Sequence, residues 1–423
     1  MTFRVSVLAT GSEILDGRVV DTNSNYIAKE IASLGLTLTR ITTVTDDKQQ
    51  LLEALAQLST VSDCIITSGG LGPTTDDLTR DVVATFCEVP LKEHPKARSN
   101  IEDFFARRGR AIDEQNYVQA LIPSGAAVIY NEHGTAPGFI ATTKSGVSIC
   151  ALSGVPRELT TMFQSAVLPL IKKRSVDSKP IQTCVLKTFG LPESLVGSRV
   201  KSVNLQQNVS ISYRAAFREV HVTLKAPEEV NVTDTLQAIR SAIGPDFIYS
   251  TDNSETLPLV ASQLLQTHGA TVATAESCTG GLFSGYLTEN SGASNIFEGG
   301  IVSYSNSAKK KLLSVSQDTL TTCGAVRAET VQSMSESVRS TMGATYGIAI
   351  SGVAGPSGGT EEKPVGTVFI ALAGPDETIV RKCFYPNSRD IIRRYVSFVA
   401  LDMLRRVILK LPIPTTYPVA DTK

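Results

Sequence analysis

Three short apolar runs in this 423-residue chain each break into a glycine-bearing turn, and that pattern restricts the fold more than any other feature. Val5-Ser6-Val7-Leu8-Ala9 leads into Thr10-Gly11-Ser12-Glu13. Cys64-Ile65-Ile66-Thr67 leads into Ser68-Gly69-Gly70-Leu71-Gly72-Pro73. Residues 270–275 lead into Glu276-Ser277-Cys278-Thr279-Gly280-Gly281. Runs so short and so apolar read as strands buried on both faces. Helical spacing follows them: Ile27, Ile31 and Leu34 recur along one face, with Asn23-Ser24-Asn25 as the cap and Gly35 as the stop. Alternation of this kind predicts an α/β fold with mostly parallel sheets, helices on both faces and ligands at the carboxyl ends of the strands.

The chain is too long for one hydrophobic core. The polar stretch Lys172-Lys173-Arg174-Ser175 through Lys179-Pro180 marks one boundary, and Gly244-Pro245 with Thr251-Asp252-Asn253-Ser254 marks another. Three domains are expected: a three-layer α/β domain at 1–175, a small α+β unit at 180–250, and a second α/β domain at 255–413. The 40 Lys and Arg against 41 Asp and Glu leave a formal charge of −1, which argues against nucleic acid or an anionic membrane as the main partner. No apolar run reaches the roughly 18 residues of a membrane span, and the first residues lack the layout of a signal peptide. The seven cysteines are scattered with no CxxC, and the four histidines are isolated with no HExxH. Reduced thiols and a cytoplasmic location are expected, without a zinc site.

Ser277 stands where a strand turns toward a helix. Backbone N–H groups lack intrahelical partners at such a corner, and the helix dipole is positive there, so a developing oxyanion finds donors. Glu276-Ser277 equally reads as a plain helix cap. A serine nucleophile needs a base, and no histidine lies in a motif near these loops. Lys309, in Tyr304-Ser305-Asn306-Ser307-Ala308-Lys309, serves if burial lowers its pKa, with Tyr304 to relay a proton; otherwise Lys309-Lys310-Lys311 is a solvated helix face. Ser351-Gly352-Val353-Ala354-Gly355 follows a further strand and offers clustered N–H groups for an anion. Arg389 and Arg393, four apart on the last helix, offer a phosphate clamp.

The amino-terminal turns carry a second set. Gly11, Ser12, Gly69, Gly70 and Gly72 permit close approach to phosphate, with Asn23 nearby. Glu13, Asp76 and Asp77 are hard oxygen donors suited to a hydrated divalent ion. Thr74-Thr75-Asp76-Asp77 also reads as a helix cap with acidic residues on the dipole.

These motifs resemble those of the CinA family along essentially the whole chain. Ala275 through Gly281, Tyr304-Ser305-Asn306 with Lys309, and Ser351 through Thr367 resemble the three motifs of its carboxyl-terminal nicotinamide-nucleotide amidase domain. The turns at Gly11 and Gly69, together with Asn131-Glu132-His133-Gly134-Thr135-Ala136-Pro137-Gly138 and Gly154-Val155-Pro156-Arg157-Glu158, resemble the molybdopterin-binding fold at the start of full-length members. The resemblance implies deamidation of nicotinamide mononucleotide with Ser277, Tyr304 and Lys309 as catalytic residues. Thr279, Gly280, Gly281, Ser351, Gly352, Gly355, Arg389 and Arg393 then bind substrate, and no cofactor is required.

For the first domain the resemblance implies a metal-dependent ADP-ribose pyrophosphatase, and the wider fold implies pterin binding. The middle segment is similar to the family's KH-type domain. Its Gly190-Leu191-Pro192-Glu193 lacks the second glycine of an RNA-clamping GxxG loop, which makes it a spacer or dimer-forming element. A homodimer acting on small nucleotides is expected. Four positions depart from the family pattern: Asp16, Ser153, Arg327 and Asn387-Ser388. Arg327 and Asn387-Ser388 support a rival reading, a nucleotide- or pterin-binding module with an inactive carboxyl-terminal domain.

Overall fold

The computed structural model describes residues 3–175, 181–217 and 219–417. The chain divides into two compact units, Met1–Gln182 with Pro227–Glu229, and Thr183–Ala226 with Val230–Lys423.

The first unit contains β1 (Val5–Thr10), β2 (Leu38–Val44), β3 (Cys64–Ser68), β4 (Leu91–Glu93), β5 (Leu121–Pro123), β6 (Ala127–Ile129), β7 (Gly138–Thr142) and β8 (Ser148–Leu152). Six of them form a sheet in the order β2-β1-β3-β8-β7-β6. The first four are parallel, as expected of a mostly parallel sheet; β7 runs antiparallel to β8, and β6, antiparallel to β7, runs with the first four. Its strands alternate between two cores. Val5, Val7, Cys64, Ile66, Cys150 and Leu152 pack on one face with Ile27 and Ile31 of the helix Thr22–Ser33. Leu8, Ile65, Ile149 and Ala151 pack on the other with Leu51, Leu55 and Leu58 of the helix Lys48–Val61. That is the expected three-layer arrangement, and burial on both faces explains why these strands read as continuous apolar runs.

The chain passes from β1 to β2 on one side and to β3 on the other. The order therefore reverses at β1, where the loops after β1, β3 and β8 emerge together. The short pair β4 and β5, the helix Pro95–Arg107 and the 3-10 turn Glu114–Ala120 form an insertion with its own small core of Ala97, Ile101 and Ala120.

The second unit contains β9 (Ile181–Phe189), β10 (Ser210–Ala216), β11 (Glu219–Pro227), β12 (Ile248–Ser250), β13 (Val272–Glu276), β14 (Phe297–Val302), β15 (Tyr346–Gly352), β16 (Thr367–Ala373) and β17 (Thr378–Phe384). A four-stranded sheet in the order β10-β11-β9-β12 carries the helices Glu193–Lys201 and Thr233–Ile243, an α+β layout as expected for the middle segment. A five-stranded sheet follows in the order β14-β13-β15-β16-β17, with β14, β13 and β15 parallel, β16 antiparallel to β15, and β17 antiparallel to β16. The two sheets belong to one unit because they share a core: Phe189 and Tyr249 pack in the same cluster as Leu257, Val396 and Tyr417. Phe398 of the last helix, Arg389–Ile408, meets the rings of Phe189, Phe217 and Tyr286. Among the described residues no helix is long and apolar enough to cross a membrane.

Candidate active site and nucleotide cleft

In the second unit the strand order reverses at β13, which has β14 on one side and β15 on the other. Ser277 is the first residue beyond β13. Its N–H donates to the Ile350 carbonyl at 2.9 Å, and the Ser303 N–H donates to the Glu276 carbonyl at 2.8 Å. These two bonds bring the ends of three strands together. Lys309, in the helix Asn306–Leu313, reaches back so that its Nζ lies 2.9 Å from Ser277 Oγ and 2.7 Å from the Ser303 carbonyl. Lys309 is 1% exposed and Ser277 8%, whereas Lys310 and Lys311 lie in solvent. Burial penalises the ammonium and holds the Lys309 pKa below the ordinary lysine range. The contact is direct, with no relay between base and hydroxyl.

The helix after Ser277 starts later than expected, at Leu282. Gly280 (φ 59°) and Gly281 (φ 93°) sit in the left-handed region and delay it. A Cβ at either glycine would meet no protein atom closer than 3.8 Å, so within the protein it is backbone conformation that demands glycine here. The Glu276 carboxylate takes the donors that the corner was expected to leave free. It accepts from the N–H groups of Gly281 (2.9 Å), Phe283 (3.1 Å) and Ser284 (2.8 Å) and from Ser284 Oγ (2.6 Å). The Gly280 N–H donates to the Ser277 carbonyl at 3.2 Å. The cap reading therefore holds for Glu276, and Ser277 Oγ is left facing the Lys309 amine. Cys278, the thiol next to Ser277, is buried, and burial pushes it up to about 12.

Other expected binding residues hold the loops together. Tyr304 is 61% exposed, and its hydroxyl accepts from Arg389 Nη2 at 2.9 Å. Arg389 Nη1 donates to the Gly355 carbonyl at 2.9 Å. Arg393 donates to the Thr279 carbonyl through Nη2 at 2.6 Å and Nε at 3.2 Å. The two guanidiniums thus pin all three motifs. Ser351 is buried and its hydroxyl donates to the Ala325 carbonyl at 2.7 Å. Gly352 lies within β15 against Val368, not in an open nest. Thr279 Oγ1 and Ser303 Oγ, on the loops that carry the pair, are buried without a hydrogen-bond partner. Arg327 forms an ion pair with Glu362. Asn387 Oδ1 accepts from the Ser388 N–H at 2.8 Å, ahead of the last helix.

A cleft of about 420 Å³ opens in the first unit at the ends of β1, β3 and β8. Gly11, Glu13, Gly69, Gly70, Gly72, Asp76 and Asp77 line it, as expected. Two expected residues do not. Ser12 donates through N–H and Oγ to Asp46 at 3.1 and 3.2 Å. Asn23 is buried inside its helix, whose cap is Asp21, and its Nδ2 donates to Ser68 Oγ (2.9 Å) and the Gly154 carbonyl (2.8 Å), tying two cleft loops from beneath. Asp16 also lies outside the lining and pairs with Arg18 at 2.7 Å. Ser153 lines the cleft, and its hydroxyl donates to Glu158 at 2.7 Å.

The sequence reading missed Asp46, Gln119 and Arg80. Asp46 lies two residues beyond the end of β2, and the strand-end rule could have found it. Arg80 has no sequence signal. It is buried beneath the glycine loop, donating to the Leu71 and Gly72 carbonyls at 2.5 and 2.9 Å.

The carboxylates fit a hydrated ion better than a closed cage. Asp77 already accepts from the Gly72 N–H (2.7 Å), the Thr74 N–H (2.9 Å) and Thr74 Oγ1 (2.5 Å). Among the described residues no three His, Cys, Asp or Glu side chains cluster to hold a metal. Glu13 and the exposed Asp76 remain as outer donors, and magnesium typically takes one or two carboxylates plus water and substrate phosphates.

Residues 6–173 match the family model described as "Probable molybdopterin binding domain", and residues 254–408 match "CinA C-terminal domain". A relative from Caldanaerobacter subterraneus is 40% identical over 408 residues, covering 95% of this chain and 98% of its own. A CinA-like protein from Kosmotoga olearia is 37% identical over 415 residues, covering 96% of this chain and all of its own. The crystal structure of a competence/damage inducible protein, CihA, from Agrobacterium tumefaciens is similar to 36% of this chain and 93% of its own, at 37% identity and a TM-score of 0.35.

Proposed function

The chain belongs to the CinA family, and on that premise we propose that its second unit hydrolyses the carboxamide of nicotinamide mononucleotide. The observation that carries this reading is the buried Lys309 amine 2.9 Å from Ser277 Oγ at the reversal point of the sheet. A neutral Lys309 takes the Ser277 proton as Oγ attacks the carboxamide carbon, forming a C–O bond. The tetrahedral intermediate collapses, the C–N bond breaks, and the Lys309 ammonium returns its proton to the departing amine, releasing ammonia. Water then attacks the ester, with Lys309 again as base, to give the nicotinate nucleotide and free Ser277. The test is ammonia release from nicotinamide mononucleotide by the full chain. Wild-type turnover with at least about a thousandfold loss in Ser277→Ala is expected. Unaltered turnover in that variant would sink the reading.

For the first unit we propose hydrolysis of a nucleoside diphosphate sugar, ADP-ribose in the first instance. The Gly69 and Gly72 N–H groups are bonded to the Leu152 carbonyl and Asp77, so the Gly70 and Leu71 N–H groups are the loop's donors to the pyrophosphate, over the buried Arg80 guanidinium. A divalent ion, when bound, neutralises pyrophosphate charge and activates water. Glu13 and Asp76 would hold it through one or two carboxylate bonds. Release of AMP and ribose 5-phosphate, dependent on added magnesium and lost in a Glu13→Gln, Asp76→Asn double variant, tests this activity separately.

The rival reading, a binding module with an inactive second unit, draws on the Arg327–Glu362 pair at a departure from the family pattern. It requires nucleotide binding with no ammonia release from the intact wild type.

A further inference from the structure

We propose that Gln119 is the residue of the first unit's cleft that reads the ligand's heterocycle, and that this heterocycle carries an exocyclic amine beside a ring nitrogen. The proposal rests on reading the glycine-lined end of the cleft as a phosphate site. Nearly the whole lining comes from loops at the carboxyl ends of the central strands and from the turn before β7. Gln119 is the one described lining residue supplied by the insertion between residues 88 and 126, so it faces the ligand from a different element than the phosphate loop does.

The insertion holds Gln119 firmly. Its 3-10 turn is capped by Asp113, whose side chain accepts from the Gln115 N–H at 3.0 Å. Ala120 is packed against Ala97 and Ile101, and its carbonyl accepts from the His94 N–H at 2.9 Å. The next residue back therefore has little freedom to swing away.

Gln119 is 2% exposed, and its Oε1 is buried without a hydrogen-bond partner. An orphaned buried acceptor costs stability, and native proteins rarely keep one without use. A carboxamide presents an acceptor and a donor side by side on one edge. A lone ribose hydroxyl would satisfy only the oxygen. An exocyclic amine next to a ring nitrogen satisfies both groups at once, as glutamine does with the N6 and N7 edge of adenine. Adenine and the aminopyrimidine ring of a pterin share this edge, and a cleft of about 420 Å³ is of the size that takes a ligand of that class.

The experiment uses the full-length protein in titration calorimetry with four probes: ADP-ribose, its inosine counterpart in which a carbonyl replaces the amine, neopterin 3′-phosphate, and inorganic pyrophosphate. Wild type should bind at least one amine-bearing heterocycle about tenfold or more tightly than the inosine compound. Gln119→Leu should lose that margin while its pyrophosphate affinity stays within about twofold of wild type, which also shows that the variant is folded. Gln119→Met should behave like Gln119→Leu, separating lost hydrogen bonding from altered packing. A preference for neopterin phosphate over ADP-ribose would identify the pterin as the source of the edge. Unchanged selectivity in Gln119→Leu would overturn the assignment of Gln119 and leave the phosphate site standing. No binding of pyrophosphate or any other probe by wild type would overturn the phosphate-site reading itself, and this proposal with it.

Discussion

Lys309 holds its amine 2.9 Å from the hydroxyl of Ser277, while its sequence neighbours Lys310 and Lys311 project into water. The three lysines differ only in helical phase. One residue's rotation about the helix puts Lys309 under the β13 and β14 ends, where the Ser303 carbonyl fixes its nitrogen at 2.7 Å.

Burial disfavours the Lys309 ammonium, so its pKa lies below the ordinary value of 10.5 and the neutral base is populated at lower pH than in a free lysine. The amidase kcat/KM should rise with pH along a limb centred below 10.5, and Lys309→Met should abolish that limb and cost about 10²- to 10⁴-fold in kcat. The effect on stability has the opposite sense. A lysine whose folded pKa lies below its unfolded pKa binds fewer protons folded than unfolded, so its burial penalty is full at low pH and fades as pH climbs through that window. Lys309→Met should therefore match or exceed wild type in urea midpoint at pH 7, with any advantage shrinking toward pH 10. A midpoint well below wild type at pH 7 would contradict the assigned penalty.

Cys278 adjoins Ser277, the proposed nucleophile, yet its thiol is pushed up to about 12, leaving almost no thiolate at neutral pH. Cys278→Ala should change the amidase kcat by less than about tenfold, against at least about a thousandfold for Ser277→Ala. Steady-state ammonia release from the two variants, measured side by side, decides the point. Equal losses would reopen the thiol as nucleophile.

How far the sequence was legible follows from the range of the forces involved. β1, β3 and β13 are visible because both of their faces are buried, which leaves continuous apolar runs ending at glycine. The insertion is not visible: β4 and β5 are three residues each, too short for any period to register, and so Gln119 went unnoticed. Ser277 and Lys309 were recognisable as a motif, but which of three consecutive lysines is buried depends on Ser303, held by a strand-to-strand bond. The helix expected directly after Ser277 failed to start there because Gly280 and Gly281 adopt positive φ. The spacing of Arg389 and Arg393 shows one helix face, but not their carbonyl partners, Gly355 and Thr279, which lie far away in sequence.

Glu276 gives the corner its rigidity. Its buried carboxylate collects three backbone N–H groups and one hydroxyl, satisfying the start of the helix Leu282–Thr288. In Glu276→Gln one oxygen becomes an NH₂ group facing N–H donors, which leaves at least one buried donor unsatisfied. A loss of about 2 kcal/mol or more in urea unfolding is expected, with Glu276→Ala worse. Catalysis should suffer with it, since Ser277 is the next residue: a misplacement of about 1 Å can cost on the order of a hundredfold in kcat. Wild-type stability in Glu276→Gln would show that the cap contributes little.

The last helix carries a buried ionic group remote in sequence from the motifs. Asp402 is fully buried and accepts from Arg405 Nε and Nη2 at 2.9 and 2.7 Å, from Arg406 Nε at 2.7 Å and from Tyr417 Oη at 2.9 Å. Both arginines are themselves buried, and they also donate to the Asp246 and Pro412 carbonyls, each at 2.7 Å. Removing the one carboxylate leaves two guanidiniums uncompensated in the interior, a far larger penalty than losing a surface pair. Asp402→Asn should cost about 3–5 kcal/mol by urea denaturation. Tyr417→Phe, which deletes one neutral donor and keeps the ring, should cost only about 1–1.5 kcal/mol. Replacing Asp402, Arg405 and Arg406 together by leucine should recover part of the Asp402→Asn loss, because the stranded charges go. It should not recover all of it, because the Asp246 and Pro412 carbonyls lose their donors. A triple variant no more stable than Asp402→Asn would show that those two carbonyl bonds, rather than charge balance, are what the group contributes to the fold.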